Sequence, residues 1–233
     1  MKFIMNSTPK TVNIDSNVIK NIEEKVINNV PLTEEEISLL LDNICYLTRC
    51  KFTNDFDNFS FEYKCDKAQA IITYYLNDLG VETHPCMTQN VITNDIEGHS
   101  FLVARFNVNG VLTPYLIDPT YRQFFTDEKN DYLTHNGMIV KTPSPGHFIK
   151  EEDKKSIEKL LIDGYHLLNE NIAQAYGDSF YNTKTGYTTK EFKSINGKIY
   201  MNSFTKGHEP LSKTRDELES EDLLIKIHSN KTL

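Results

Sequence analysis

Cys65 in Tyr63-Lys64-Cys65-Asp66-Lys67, His99 in Glu97-Gly98-His99-Ser100-Phe101 and Asp118 in Tyr115-Leu116-Ile117-Asp118-Pro119 supply, in chain order, a thiol, an imidazole and a carboxylate. Those types suffice for acyl chemistry. A thiol attacks a carbonyl only as thiolate, an imidazole takes its proton and later gives it to the leaving group, and a carboxylate holds the imidazole in the productive tautomer. Cys65 is expected to open a helix, whose unpaired first-turn N–H groups and partial positive charge lower a thiol's pKa and can donate to an oxyanion. Asn54, Asn58 and Gln123 are side-chain candidates for a further oxyanion donor. Arg122 and Gln123 follow Asp118 closely enough to be candidates for substrate recognition. Taken singly, a cysteine is more often a small buried hydrophobe, a strand histidine a hydrogen-bonded structural residue, and an Asp before Pro a turn cap. Three such residues in order, at the start of a helix, the start of a strand and the end of its hairpin partner, favour catalysis over coincidence.

The elements that must position them are written in the spacing of apolar residues. After a polar arm over 1–14, Asp15 or Ser16 caps a helix carrying Val18, Ile19, Ile22 and Val26 and ending near Asn28-Asn29. Thr33 and Glu36 form a capping box for a second helix with Ile37, Leu40, Leu41, Ile44 and Leu47 inward. Residues 53–63 read as a loop leading to Cys65, after which Ala68, Ile71, Ile72, Tyr75 and Leu76 mark the helix that Leu79-Gly80 ends. Residues 81–91, 100–108 and 111–117 are strand-like, and Asn109-Gly110 is a strong hairpin turn. A two-residue loop there pairs position 101 with 118, so His99 and Asp118 lie at the same end of the ribbon. The aromatic run from Tyr121 to Phe125 is placed beside them. Residues 150–176 read as one long amphipathic helix with Ile157, Leu160, Leu161, Tyr165, Leu168 and Ile172 inward. The expected class is therefore α+β, with N-terminal helices and a catalytic helix packed on an antiparallel sheet. Residues 1–176 form the catalytic domain, and 177–233 a C-terminal extension packed on or appended to it.

Composition narrows the functions. A chain of 233 residues with 39% hydrophobic content can bury one substantial core. A net charge of −8 disfavours nucleic acid and anionic lipid as partners, which need a basic face. No apolar run is long enough to span a bilayer or serve as a signal peptide, so synthesis in a cytoplasm is expected. The bias to Asn, Lys and Ile suits a low-GC bacterium. The acidic stretch 216–222 followed by apolar residues also occurs in bacterial secretion signals, which makes export as an effector a compatible fate. The four cysteines are too few for a disulfide scaffold, and His84 with Cys86 has no second cluster to complete a zinc site. No cofactor is expected.

Cys65-Asp66-Lys67-Ala68-Gln69-Ala70, Gly98-His99-Ser100-Phe101-Leu102-Val103 and Leu116-Ile117-Asp118-Pro119-Thr120 together resemble the transglutaminase-like branch of the papain-like cysteine enzymes, over roughly residues 60–125. The resemblance implies a papain-like core and a catalytic triad of Cys65, His99 and Asp118. It differs in two respects. Ser100 separates His99 from Phe101 and the chain has no tryptophan, which argues against the substrate tunnel of cross-linking transglutaminases. Phe61-Glu62-Tyr63-Lys64 stands where arylamine N-acetyltransferases have Arg-Gly-Gly, which argues against acetyl-CoA. The resemblance thus implies a cysteine hydrolase acting on a glutamine or other amide group of a protein or peptide, with side-chain deamidation foremost. Cysteine protease and transglutaminase-type amine transfer are the alternatives of the same class. A non-catalytic binding domain retaining the fold is the alternative of another.

Overall fold

The computed structural model describes residues 8–56, 59–88, 99–125, 151–169, 172, 192–195, 198–201 and 213–229. Two helices come first, α1 over Ser16–Ile27 and α2 over Glu34–Cys50. Asp15 caps α1 by accepting the Asn17 N–H at 2.8 Å, and Thr33 and Glu36 form the reciprocal capping box of α2. Such caps are worth about 1 kcal/mol each. Burial outweighs them: Ile37, Leu40, Leu41 and Ile44 are fully buried, each contributing about 1.5–3 kcal/mol. Val18 is 39% exposed and lies off the stripe that Ile19 and Ile22 bury.

The third helix, α3, spans Cys65–Asp78 and ends at Gly80, whose φ of +82° needs no side chain to be moved. Its inward residues Ile72, Tyr75 and Leu76 share a core with Ile37, Leu40, Leu41 and Ile44 of α2. They face alternate residues of an antiparallel sheet in the order β1 (Glu82–Thr88), β2 (His99–Val108), β3 (Val111–Ile117) and β4 (Tyr165–Leu167). On β2 the core-facing set is Leu102, Ala104, Phe106 and Val108, the period of two that a strand imposes. The chain is therefore α+β. The turn between β2 and β3 has φ +50° at Asn109 and +81° at Gly110, the mirror-image turn that matches strand twist. It sets Leu102 opposite Ile117 and Val108 opposite Val111, which places position 101 level with 118 as the turn predicts. Leu32, between α1 and α2, clamps the hairpin tip through 2.8 Å hydrogen bonds to Asn107 and Asn109.

The single helix expected over 150–176 is instead a shorter helix, α4 (Glu151–Asp163), followed by β4. Gly164 divides them at φ +86°, where a continuing α-helix is impossible. Tyr165 and Leu168 are buried as expected, but from the strand and the residue after it. Their spacing suits either element, and the glycine decides. Further on, β5 (Phe192–Ile195) and β6 (Lys198–Met201) form a separate hairpin.

A last short helix, α5 over Arg215–Ser220, carries Leu218 onto Ala70 and Ile71 of α3, with Leu223 beside it. The segment then reaches α1, where Glu23 is fully buried. One carboxyl oxygen accepts the N–H groups of His228 and Ser229 at 2.8 and 2.7 Å, and the other accepts the Tyr75 hydroxyl of α3 at 2.5 Å. Among the described residues, no helix is long and apolar enough to cross a membrane.

Candidate active site

Cys65 is the first residue of α3 and is half-buried. No side chain caps that helix end at Lys64, while Asp66 accepts the Lys67 N–H at 2.8 Å. His99 is the first residue of β2 and is 0% exposed, and Asp118 directly follows β3 and is 2% exposed. The register of β2 on β3 brings them together, and Asp118 Oδ2 lies 2.6 Å from His99 Nε2. The imidazole sits between the rings of Phe101 and Tyr121, with centroids 6.3 and 6.4 Å away.

Charge follows from this geometry. Burial raises the Cys65 thiol, but a hydrogen bond and positive charge from His99, with the Ser100 backbone amide, outweigh it and leave its pKa below the ordinary value. Burial pulls the His99 imidazolium down, yet the charge and hydrogen bond of Asp118, helped by Cys65, push its pKa up to about 10. The shifts are opposite, so each group's surroundings favour its charged form and stabilise a thiolate–imidazolium pair relative to the same groups free in water. Two buried thiols contrast with this: burial raises Cys45 strongly and takes Cys86 to about 12.

Of the other residues singled out by the sequence, Gln123 is brought to the triad. Its Nε2 lies 3.2 Å from His99 Nδ1, the ring nitrogen opposite the one Asp118 engages. It belongs to a 3₁₀ turn over Tyr121–Phe125 that starts from the Asp118 carbonyl. Arg122, its neighbour, is buried. Asn54 is exposed, and Asn58 lies outside the described residues.

Positioning residues emerge that the sequence reading did not single out. Gln69, one helical turn after Cys65, donates from Nε2 to the carbonyls of Cys86 and Phe101, which face each other across β1 and β2. It thereby fixes α3 against the strand that starts at His99. Asp118 is held twice more, by its N–H to the Gly164 carbonyl at 2.7 Å and by Thr120 Oγ1 donating to Oδ1 at 3.2 Å. Gly164 has no room for a side chain, since a Cβ would stand 3.0 Å from Arg49 Nη2 and Cys45 Cβ and 3.1 Å from Pro119 Cα. Arg49, 1% exposed, donates to the carbonyls of Pro119, Leu161 and Ile162, tying the residue after Asp118 to the end of α4. A polar residue on an otherwise apolar helix face, as at Gln69 and Arg49, is the signal that could have found them.

Among the described residues, no group of three or more His, Cys, Asp or Glu side chains is placed to hold a metal ion. Comparison with protein-family models, with curated proteins and with solved structures finds no match for this chain.

Proposed function

We propose that the chain is a cysteine-dependent amide hydrolase of papain-like, transglutaminase-like type, with Cys65 as nucleophile, His99 as acid and base and Asp118 as its orienter. The observation that carries this reading is the buried 2.6 Å contact between His99 Nε2 and Asp118 Oδ2, with the half-buried Cys65 hydrogen-bonded to the same imidazole at a helix N-terminus. Asp118 occupies Nε2, so Nδ1 is the nitrogen assigned to the thiol, and the Gln123 amide that approaches it at 3.2 Å turns to the oxyanion when Nδ1 carries the proton.

The thiolate of Cys65 attacks the carbon of a carboxamide, and the oxygen takes up the displaced electron pair. The Cys65 amide at the helix start and the Gln123 carboxamide are the donors assigned to that oxyanion. His99 passes its Nδ1 proton to the departing nitrogen, ammonia leaves, and a thioester remains. His99, now neutral, takes a proton from water, whose oxygen attacks the thioester carbon. The carbon–sulfur bond breaks, the thiolate is restored, and the product is a carboxylic acid, which ionises by giving its proton to the released ammonia.

The substrate assigned is a glutamine side chain of a protein or peptide, a choice that rests on the likeness to the transglutaminase-like enzymes, whose small bacterial members include glutamine deamidases. The test is incubation with a protein mixture followed by mass spectrometry. Conversion of particular glutamines to glutamates identifies deamidation, backbone fragments would mean proteolysis and amine adducts transamidation. Each signal must vanish in Cys65→Ala, and identical behaviour of the two proteins would sink the enzymatic reading for those substrates.

A further inference from the structure

Beside the triad, one buried cation lacks what its chemistry demands. Arg122 is 6% exposed and stands one residue before the Gln123 amide that touches His99. Among the described residues, its Nε and Nη1 have no hydrogen-bond partner. A buried donor left unpaired is costly, and a buried charge without a counter-charge more so. The surroundings sharpen this. Burial first, and then the charge of Arg49, hold the Arg122 pKa down to about 10. Arg49 has satisfied itself on three carbonyls, whereas Arg122 has not. The carboxylates whose charges act on Arg49 are engaged by other groups: Asp118 by His99 and Thr120, Asp163 by Lys159, and Asp42 by Lys10 and Tyr165.

We propose that Arg122, one residue before the Gln123 amide that touches His99, is an anion subsite and that the group it takes is a carboxylate of the substrate. The proposal rests on the amide-hydrolase reading and narrows it to glutamine accompanied by an acidic group, such as an acidic side chain of the same peptide. A single guanidinium matches a single negative charge. A phosphate dianion would bring about two charges to one unpaired cation, in a chain whose net charge is already −8. The same charge makes loose anion binding over the general surface unfavourable, so an anion response has to come from a local site.

The test uses the full chain with glutarate, with glutaramide, which is the neutral diamide of the same length, and with inorganic phosphate, all at matched ionic strength. Glutarate should raise the melting temperature by about 3–6 °C at roughly ten times its dissociation constant. It should also slow iodoacetamide labelling of Cys65 several-fold, whereas glutaramide should do neither. Both effects should disappear in Arg122→Gln and be partly kept in Arg122→Lys, which retains the charge. A glutaramide response equal to that of glutarate overturns the proposal on the unmodified chain alone, even if Arg122→Gln fails to fold. So does a glutarate response undiminished in Arg122→Gln, and a stronger response to phosphate overturns the carboxylate assignment. Melting does not involve the thiol. An unreactive Cys65 would therefore count against the hydrolase reading, while the subsite is judged by melting.

Discussion

The imidazole of His99 is sealed from solvent while Cys65 is half-buried, so the thiol is the group of the pair that a reagent reaches first. The pH dependence follows from the two opposed shifts. The rate of Cys65 alkylation by iodoacetamide should rise through a midpoint below the usual thiol value of about 8.5, and at pH 6 Cys65 should react faster than Cys45, Cys50 or Cys86. His99→Ala should move that midpoint upward and abolish the preference. A folded-state pKa raised above the unfolded value means that the folded chain binds the His99 proton more tightly. Its contribution to stability is thus complete below the unfolded pKa of about 6.5, and it is lost as pH climbs through the folded value of about 10. Asp118→Asn, which keeps the shape but loses the charge, should lower any amidase rate by about a hundredfold or more, read from steady-state kinetics. The meeting of His99 with Asp118 was legible in the sequence because the Asn109-Gly110 turn sets the register that brings the two strand ends level. Gln69, Arg49 and Gly164 were not, because their roles lie in partners up to 119 positions away.

Helices and strands were mostly announced by local signals: the Thr33–Glu36 box, the glycine after α3 and the Asn109-Gly110 turn all stand where the sequence puts them. Where a local signal competed with a periodic one, the period misled. Apolar spacing ran through Gly164, although only the pairing of β4 with β3 could have shown that Tyr165 faces inward from a strand. That glycine now has a measurable role. Gly164→Ala places a Cβ against Arg49, Cys45 and the backbone of Pro119 at a left-handed φ, and should cost about 2–4 kcal/mol in chemical denaturation. Because the Gly164 carbonyl receives the Asp118 N–H, the variant should also shift the alkylation midpoint of Cys65 toward that of an ordinary thiol. Gln69→Leu tests the tie between helix and sheet. It leaves the Cys86 and Phe101 carbonyls without that donor, an expected loss of about 1–3 kcal/mol, and Cys65 reactivity should fall with the site's geometry.

Over the whole molecule, the carboxyl group of Glu23 joins three stretches far apart in sequence: α1, the Tyr75 hydroxyl of α3, and the backbone of residues 228 and 229. Nothing local in Asn21-Ile22-Glu23-Glu24 distinguishes the buried glutamate from its exposed neighbour, so this junction was invisible to sequence reading. Glu23→Ala should cost about 3 kcal/mol or more by stranding the Tyr75 hydroxyl and two amides, which in a chain of this size is a melting temperature lower by about 6–12 °C. Hydrogen exchange at His228 and Ser229 should accelerate in the same variant, and unchanged exchange there would show that the segment is held by Leu218 and Leu223 instead. The same junction bears on how the molecule is made. Residues 228 and 229 leave the ribosome after α1 and α3, so the Glu23 carboxyl group, which holds the Tyr75 hydroxyl of α3, waits for two of its donors until they emerge. The helix that opens at Cys65 is thus braced, through Tyr75 and Glu23, by a stretch synthesised after it, so the support of the candidate site is drawn from both sides of it in the chain.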